Sequence, residues 1–143
     1  MAEKKSREQD RTGTPAALQT GHLVNGRFRS LRASVHLSST VVANGDTIAL
    51  GKRPKGSRYC GHRITAGVSL GTATLAIGVA GTAGKYRAAA THTAVDTPSD
   101  VAIAARLADD PLTADEDMIA TIGTGALPTS DHYLVIETFY TYD

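Results

Sequence analysis

From Phe28 onward, apolar and polar residues alternate with period two. Leu31, Ala33, Val35 and Leu37 fall on one side of an extended chain, and Arg32, Ser34 and His36 on the other. The alternation returns at Ile48 and Leu50, at Ala73, Leu75, Ile77 and Val79, at Val101, Ile103, Ala105 and Leu107, and at Met118, Ala120 and Ile122. It closes in the β-branched and aromatic run from His132 to Tyr142. Turn signals at Ala43–Asp46, Lys52–Gly56, Gly81–Gly84, Asp109–Pro111 and Pro128–Asp131 separate these runs. Short strands spaced at about ten residues with turns between them predict an all-β, antiparallel sandwich or barrel.

Within that outline, Asn44-Gly45-Asp46 is predicted as a hairpin-type turn aligning a strand over Arg27–Leu37 with one over Thr47–Leu50. Pro54 and Gly56 predict a bend before a strand over Arg58–Ile64. Two segments depart from the pattern. Ser99–Asp110 is Ala-rich, with Ser99 placed to cap a short helix and Arg106 near its end. Thr113–Glu116 has capping-box spacing and predicts one helical turn.

The chain of 143 residues suits one compact domain. Residues 1–26 are too polar and broken to add to a core, so a folded body over 27–143 is expected behind an extended, poorly structured N-terminal arm. That arm has two readings, a solvated tail or a strap that orders on a partner. Trp is absent and Phe occurs twice, whereas Ala, Thr and Gly abound, which suits sheets in close approach. Neither a signal-peptide core nor a membrane-spanning apolar run stands out, and Cys60 has no cysteine partner, so folding in a reducing cytoplasm is expected.

Charge sharpens the picture. Between Arg27 and Arg63 there are eight Lys/Arg and one acid; from Ile64 to Asp143 there are three and ten. The basic stretch comprises Arg29, Arg32, Lys52, Arg53, Lys55, Arg58 and Arg63, with Lys4, Lys5, Arg7 and Arg11 in the arm. Nucleic acid is the lesser candidate partner, because Tyr59 is the one aromatic between Arg29 and Arg63 and the pI is near 7.9. An acidic protein surface fits better, with attachment that weakens as salt rises. The acids Asp109, Asp110, Asp115, Glu116 and Asp117 form either a solvated loop or a contact for the basic stretch of an adjacent copy.

Catalytic patterns fail on inspection. Gly78–Lys85 looks like a phosphate loop but has five residues, where four are needed, between its first Gly and the Gly-Lys pair; a Gly-rich hairpin is the simpler reading. Cys60 and His62 supply two soft ligands where zinc wants four, and the acidic cluster lacks EF-hand order. No catalytic residue, metal or cofactor is expected.

Several phrases carry a resemblance: Val41–Gly51, Arg53–Arg58, Leu70–Gly78, Lys85-Tyr-Arg-Ala-Ala, Asp117–Ile122 and the terminal Tyr/Val/Ile strand. Their order resembles small structural proteins of tailed bacteriophages, particularly capsid decoration (cement) proteins. The resemblance implies a jelly-roll-like sandwich without an active site, bound to the major capsid protein and to copies of itself as a homotrimer at the virion surface. It further implies the arm as clamp and the basic residues as capsid contact. Rival expectations are a head-spike base, neck or tail subunit, and a carbohydrate-binding β-sandwich module using exposed tyrosines.

Overall fold

In the computed structural model the described residues are 27–101 and 111–142, and every regular element among them is a strand. The strands are β1 (Arg27–His36), β2 (Thr47–Arg53), β3 (Arg58–Ala66), β4 (Thr74–Val79), β5 (Thr82–Thr91), β6 (Ser99–Val101), β7 (Glu116–Gly123) and β8 (Tyr133–Tyr142). They form two four-stranded antiparallel sheets, ordered β1-β8-β3-β6 and β2-β7-β4-β5. Consecutive strands change sheet at every connection except the β4–β5 hairpin, which is the jelly-roll winding. The residues expected in the arm, with Lys4, Lys5, Arg7 and Arg11, and the expected helix beyond Val101, with Asp109 and Asp110, lie outside the described residues.

The inward rows predicted from alternation build the core. Leu37, Leu50, Ile64, Leu75, Ile77, Met118, Ile122, Leu134 and Ile136 are buried between the sheets, with Leu31, Ala33, Val35 and Ile48 packed at the margin. Burying such a side chain stabilises the fold by roughly 1.5–3 kcal/mol, so these rows hold the sheets together.

Three local expectations are corrected. Asn44-Gly45 does turn, with Gly45 at φ 93° and the Asp46 N–H donating to Ala43 O at 3.1 Å. It is not a hairpin, however: β1 pairs with β8 and β2 with β7, so this turn carries the chain between sheets. Ser99–Val101 is a strand rather than a helix start, because the edge of β3 offers it a ladder (Ile64 opposite Ser99, His62 opposite Val101) and pairing overrides a weak propensity. Thr113–Glu116 forms no helical turn. Glu116 is the first residue of β7 and continues the inward row of Met118, Ala120 and Ile122.

Bulges then break the strict alternation at three places. On β2, Ala49 and Gly51 oppose consecutive residues of β7, so Leu50 is the extra residue, and Gly51 sits at φ 124°. The phase slips, and Arg53 turns inward where Lys52 would otherwise have done so. On β3 the extra residue is Cys60, which brings Tyr59 onto the inward face with His62, Ile64 and Ala66. On β5 the register shifts twice along β4, leaving the successive residues Tyr86 and Arg87 both buried.

Candidate functional site

The bulged residues converge. Arg53 is fully buried (0% exposed), and its guanidinium lies 5.3 Å from the Tyr59 ring centre and 5.2 Å from that of Tyr86. The two rings stack at 4.3 Å, joining β3 of one sheet to β5 of the other. Arg53 Nε donates to Ser57 Oγ at 3.3 Å and Nη2 to Ser57 O at 3.2 Å. Its counterion is Glu116, opposite it in the β2–β7 register, with Nη1 3.9 Å from Oε1. Glu116 also accepts from Tyr86 Oη at 2.5 Å and from Lys85 Nζ. Tyr59 Oη and His62 Nδ1 are 2.6 Å apart, completing a polar chain inside the sandwich.

The titrations reflect this enclosure. Burial, with the Glu116 hydrogen bond adding to it, raises the Tyr86 phenol above its ordinary value. Partial burial pulls the Lys85 ammonium down, but its bonds to Glu116 and Tyr86 outweigh that and its pKa is raised. Neither group is poised for proton transfer near neutrality.

A second buried cation serves the β4–β5 bulge. Arg87 donates to the carbonyl oxygens of Leu75, Ala90 (3.1 Å) and Thr91 (3.4 Å), groups that the broken ladder would otherwise leave with poorer partners. Nearby His92 is buried, with Nδ1 3.3 Å from Ser99 Oγ. Burial, with the Arg87 charge adding to it, holds this imidazole below its ordinary pKa of 6.5. The unfolded chain therefore binds a proton that the folded chain refuses. Its contribution to stability is complete above the unfolded value and is lost as pH falls through the lower folded one. Urea unfolding at about pH 7 and about pH 5 is expected to show a smaller acid loss in His92→Gln than in the unmodified chain.

The expected contact residues divide. Arg29, Arg32, Lys52 and Lys55 are exposed, and Arg58 and Arg63 half-buried, whereas Arg53 is enclosed and corrected to a core residue. Two cations of the basic stretch meet acids of their own chain, Lys52 pairing with Asp117 at 3.6 Å and Arg53 with Glu116, which also serves Lys85 of β5; the Lys55 backbone N–H donates to Asp115 Oδ1 at 2.8 Å. Glu116, with its side chain 13% exposed, is an internal counterion to Arg53 and Lys85. Across the other sheet, Arg32, Glu137, Arg63 and Asp100 share one rung.

The bulge at Cys60 places Tyr59, not Cys60, beside His62, and no group of three or more potential ligands gathers among the described residues. The Gly78–Lys85 string is the β4–β5 hairpin, turning at Ala80–Gly81. A Ser–His–Asp arrangement does occur at the surface: Ser38 Oγ is 2.9 Å from His36 Nδ1, and His36 Nε2 3.0 Å from Asp131 Oδ1. Asp131 is 93% exposed, the reverse of the enclosed carboxylate that orients a catalytic imidazole, so this is a surface contact. Tyr59, Tyr86 and Tyr140 are buried, which removes them as sugar-stacking platforms. Among the described residues no helix is long and apolar enough to cross a membrane.

No protein-family model and no curated protein matches the sequence. Solved structures do. A chain of the Cyanophage Pam1 capsid asymmetric unit is similar with a TM-score of 0.65 at 18% identity, covering 100% of both chains. A chain of the capsid of Ralstonia phage GP4 has a TM-score of 0.63 at 18% identity, over 82% of this chain and 86% of its own. A chain of the acidic stable capsid of Helicobacter pylori bacteriophage KHP30 has a TM-score of 0.57 at 15% identity, over 80% and 86%. At 15–18% identity these likenesses establish a shared fold, the eight-stranded sandwich described above.

Proposed function

We propose that this chain is a non-enzymatic structural subunit of a tailed-phage virion, and within it a capsid-decorating (cement) subunit bound to the shell of major capsid protein. The observation that carries the reading is the full-length likeness to the Pam1 capsid chain, 100% of each covered. The three matched chains are covered over 86–100% of their length, so the likeness extends over nearly the whole of each. The buried polar side chains suit the same reading, since Arg53, Glu116 and Tyr86 bond to one another and tie strands together.

In this reading the segment 1–26, with Lys4, Lys5, Arg7 and Arg11, clamps neighbouring shell subunits, and the copies assemble as homotrimers. Many symmetry-related contacts make weak binding effectively permanent, because each tethered site raises the local concentration for the next. The test is to add purified protein to shells stripped of it and count copies per particle by quantitative mass spectrometry. Hundreds of copies are expected. A few tens or fewer would instead support a spike-base, neck or tail position, and no binding would reject the virion role. Deleting residues 1–26 is expected to lower occupancy sharply while leaving the circular dichroism of the sandwich unchanged.

A further inference from the structure

The chain has two phenylalanines, and neither is in the core. Phe28 on β1 is 66% exposed, and its ring stacks on that of Phe139 on β8, centroids 5.3 Å apart. Both project from the outer face of the β1-β8-β3-β6 sheet, since their strand neighbours Leu134, Ile136, Thr138 and Tyr140 fill the inner face. Arginines bracket the pair. Arg63 lies 5.9 Å over the Phe139 ring, Arg32 stands one rung along, and Arg58 shares the Phe28–Thr141 rung.

Large exposed aromatics beside arginine are the composition of interface centres, and the fold gains little from leaving Phe28 in water. The outer face of the other sheet, by contrast, carries Thr47, Ala49, Ile119, Thr121 and Ala76, with no aromatic side chain among them, and there Ala76 and the Thr121 hydroxyl are buried. Nucleic acid also favours aromatic and arginine pairs. Here, though, each phenylalanine face nearest its neighbour is already occupied by the stack, and Glu137 lies within the same surface.

We propose that the Phe28–Phe139 patch is the docking surface of this chain for the virion shell, and that its partner is a protein surface with an apolar pocket rimmed by carboxylates. The inference rests on the virion reading above. The arginines match the acidic rim, while the stacked rings fill the pocket, so burial of the rings supplies the affinity and the charges supply orientation.

The test uses the full chain and stripped shells. Phe28→Ser and Phe139→Ser are each expected to weaken shell binding by about thirtyfold, the loss typical of an interface centre. Ser30, exposed and opposite Phe139, gives a probe that removes no native contact. Ser30→Glu is expected to weaken binding and Ser30→Lys to preserve it, with unfolding midpoints unchanged in both. Thr47→Lys, at an exposed position of the opposite sheet, is expected to bind normally. If the chain binds shells and the Phe28, Phe139 and Ser30 variants bind equally well, the docking surface is overturned while the virion reading stands. Binding lost equally in Ser30→Lys and Ser30→Glu overturns the acidic rim. Absence of binding by the unmodified chain rejects both readings, and tight binding of a single-stranded oligonucleotide that Phe28→Ser abolishes rejects a protein partner.

Discussion

Glu116→Gln is expected to destabilise the fold by about 3 kcal/mol, measured by urea unfolding with an unchanged denaturant slope. The substitution keeps the size of the side chain but removes the charge facing Arg53, whose guanidinium is wholly enclosed and cannot turn to water. Lys85 and the Tyr86 hydroxyl bond to different oxygens of Glu116, and since Gln keeps only one oxygen, one of the two donors would face an NH2 group instead. Tyr59 and Tyr86 offer Arg53 only their ring faces, and Ser57 accepts from its Nε and Nη2 but not its Nη1. A buried cation without its partner is the costly case. The nearby Lys52–Asp117 pair makes the contrast, with side chains 60% and 78% exposed. Solvent screens it, so Asp117→Asn is expected to change stability by less than about 1 kcal/mol. Replacing both Arg53 and Glu116 with apolar residues (Arg53→Met with Glu116→Leu) is expected to recover most of the loss. A Glu116→Gln cost below about 1 kcal/mol would show that Arg53 is satisfied without its carboxylate.

Gly78→Ala is expected to cost a similar amount, about 3 kcal/mol, by a different cause. A Cβ at residue 78 would land on the carbonyl groups of Thr82 and Ala83, backbone atoms of the returning strand that no rotamer change can move aside. The β4–β5 hairpin would have to open at its narrowest point. Gly84 lies in the same Gly-rich string, and there a Cβ would stand 3.5 Å from Ala88 Cα, an ordinary contact. Gly84→Ala is therefore expected to change stability by less than about 1 kcal/mol. Equal effects at the two positions would mean that the close approach at Gly78 does not limit the hairpin. The comparison also gives the string a structural meaning: one glycine is needed for strand approach, and Gly81, at φ 84°, for the turn.

The strands were legible in the sequence because a half-buried strand must alternate. Leu31 to Leu37, Leu75 to Ile77 and Met118 to Ile122 read as inward rows and are inward rows. Tight turns were legible for a similar reason, since Gly45 and Gly56 adopt positive φ that other residues resist. What those turns connect was not legible. Asn44-Gly45-Asp46 has the composition of a hairpin, yet its flanking strands belong to different sheets, because pairing depends on partners far along the chain. Ser99 illustrates the same limit: its capping chemistry is real, but the free edge of β3 decides.

The candidate site was less legible still. A bulge leaves little trace in a single sequence, and each bulge changes which side chain faces inward. By alternation Lys52 should lie inside and Arg53 outside; the extra residue at Leu50 reverses them. Gly51 was the available signal, an isolated glycine within a strand. Cys60 hides its bulge completely, although Gly61 beside it, at φ 139°, offers the same kind of clue.

By itself the sequence determined the all-β class, the inward rows and glycine turns named above, and the division of charge into a basic first part and an acidic second part. Those properties are local or additive, so the order of residues suffices to state them. Only the tertiary structure decided what the charge division does. The antiparallel β2–β7 ladder lays Lys52 and Arg53 against Asp117 and Glu116, and the β1-β8-β3 ladder sets Glu137 between Arg32 and Arg63. Charges far apart along the chain thus become rung neighbours, and the pairing of Arg53 and Lys85 with Glu116 takes those charges into the fold. What remains on the outer sheet is a pair of stacked phenylalanines edged by arginine, which no count of charges along the chain could locate. Coulomb attraction falls with distance through space, and distance through space is set by strand pairing rather than by position in the sequence.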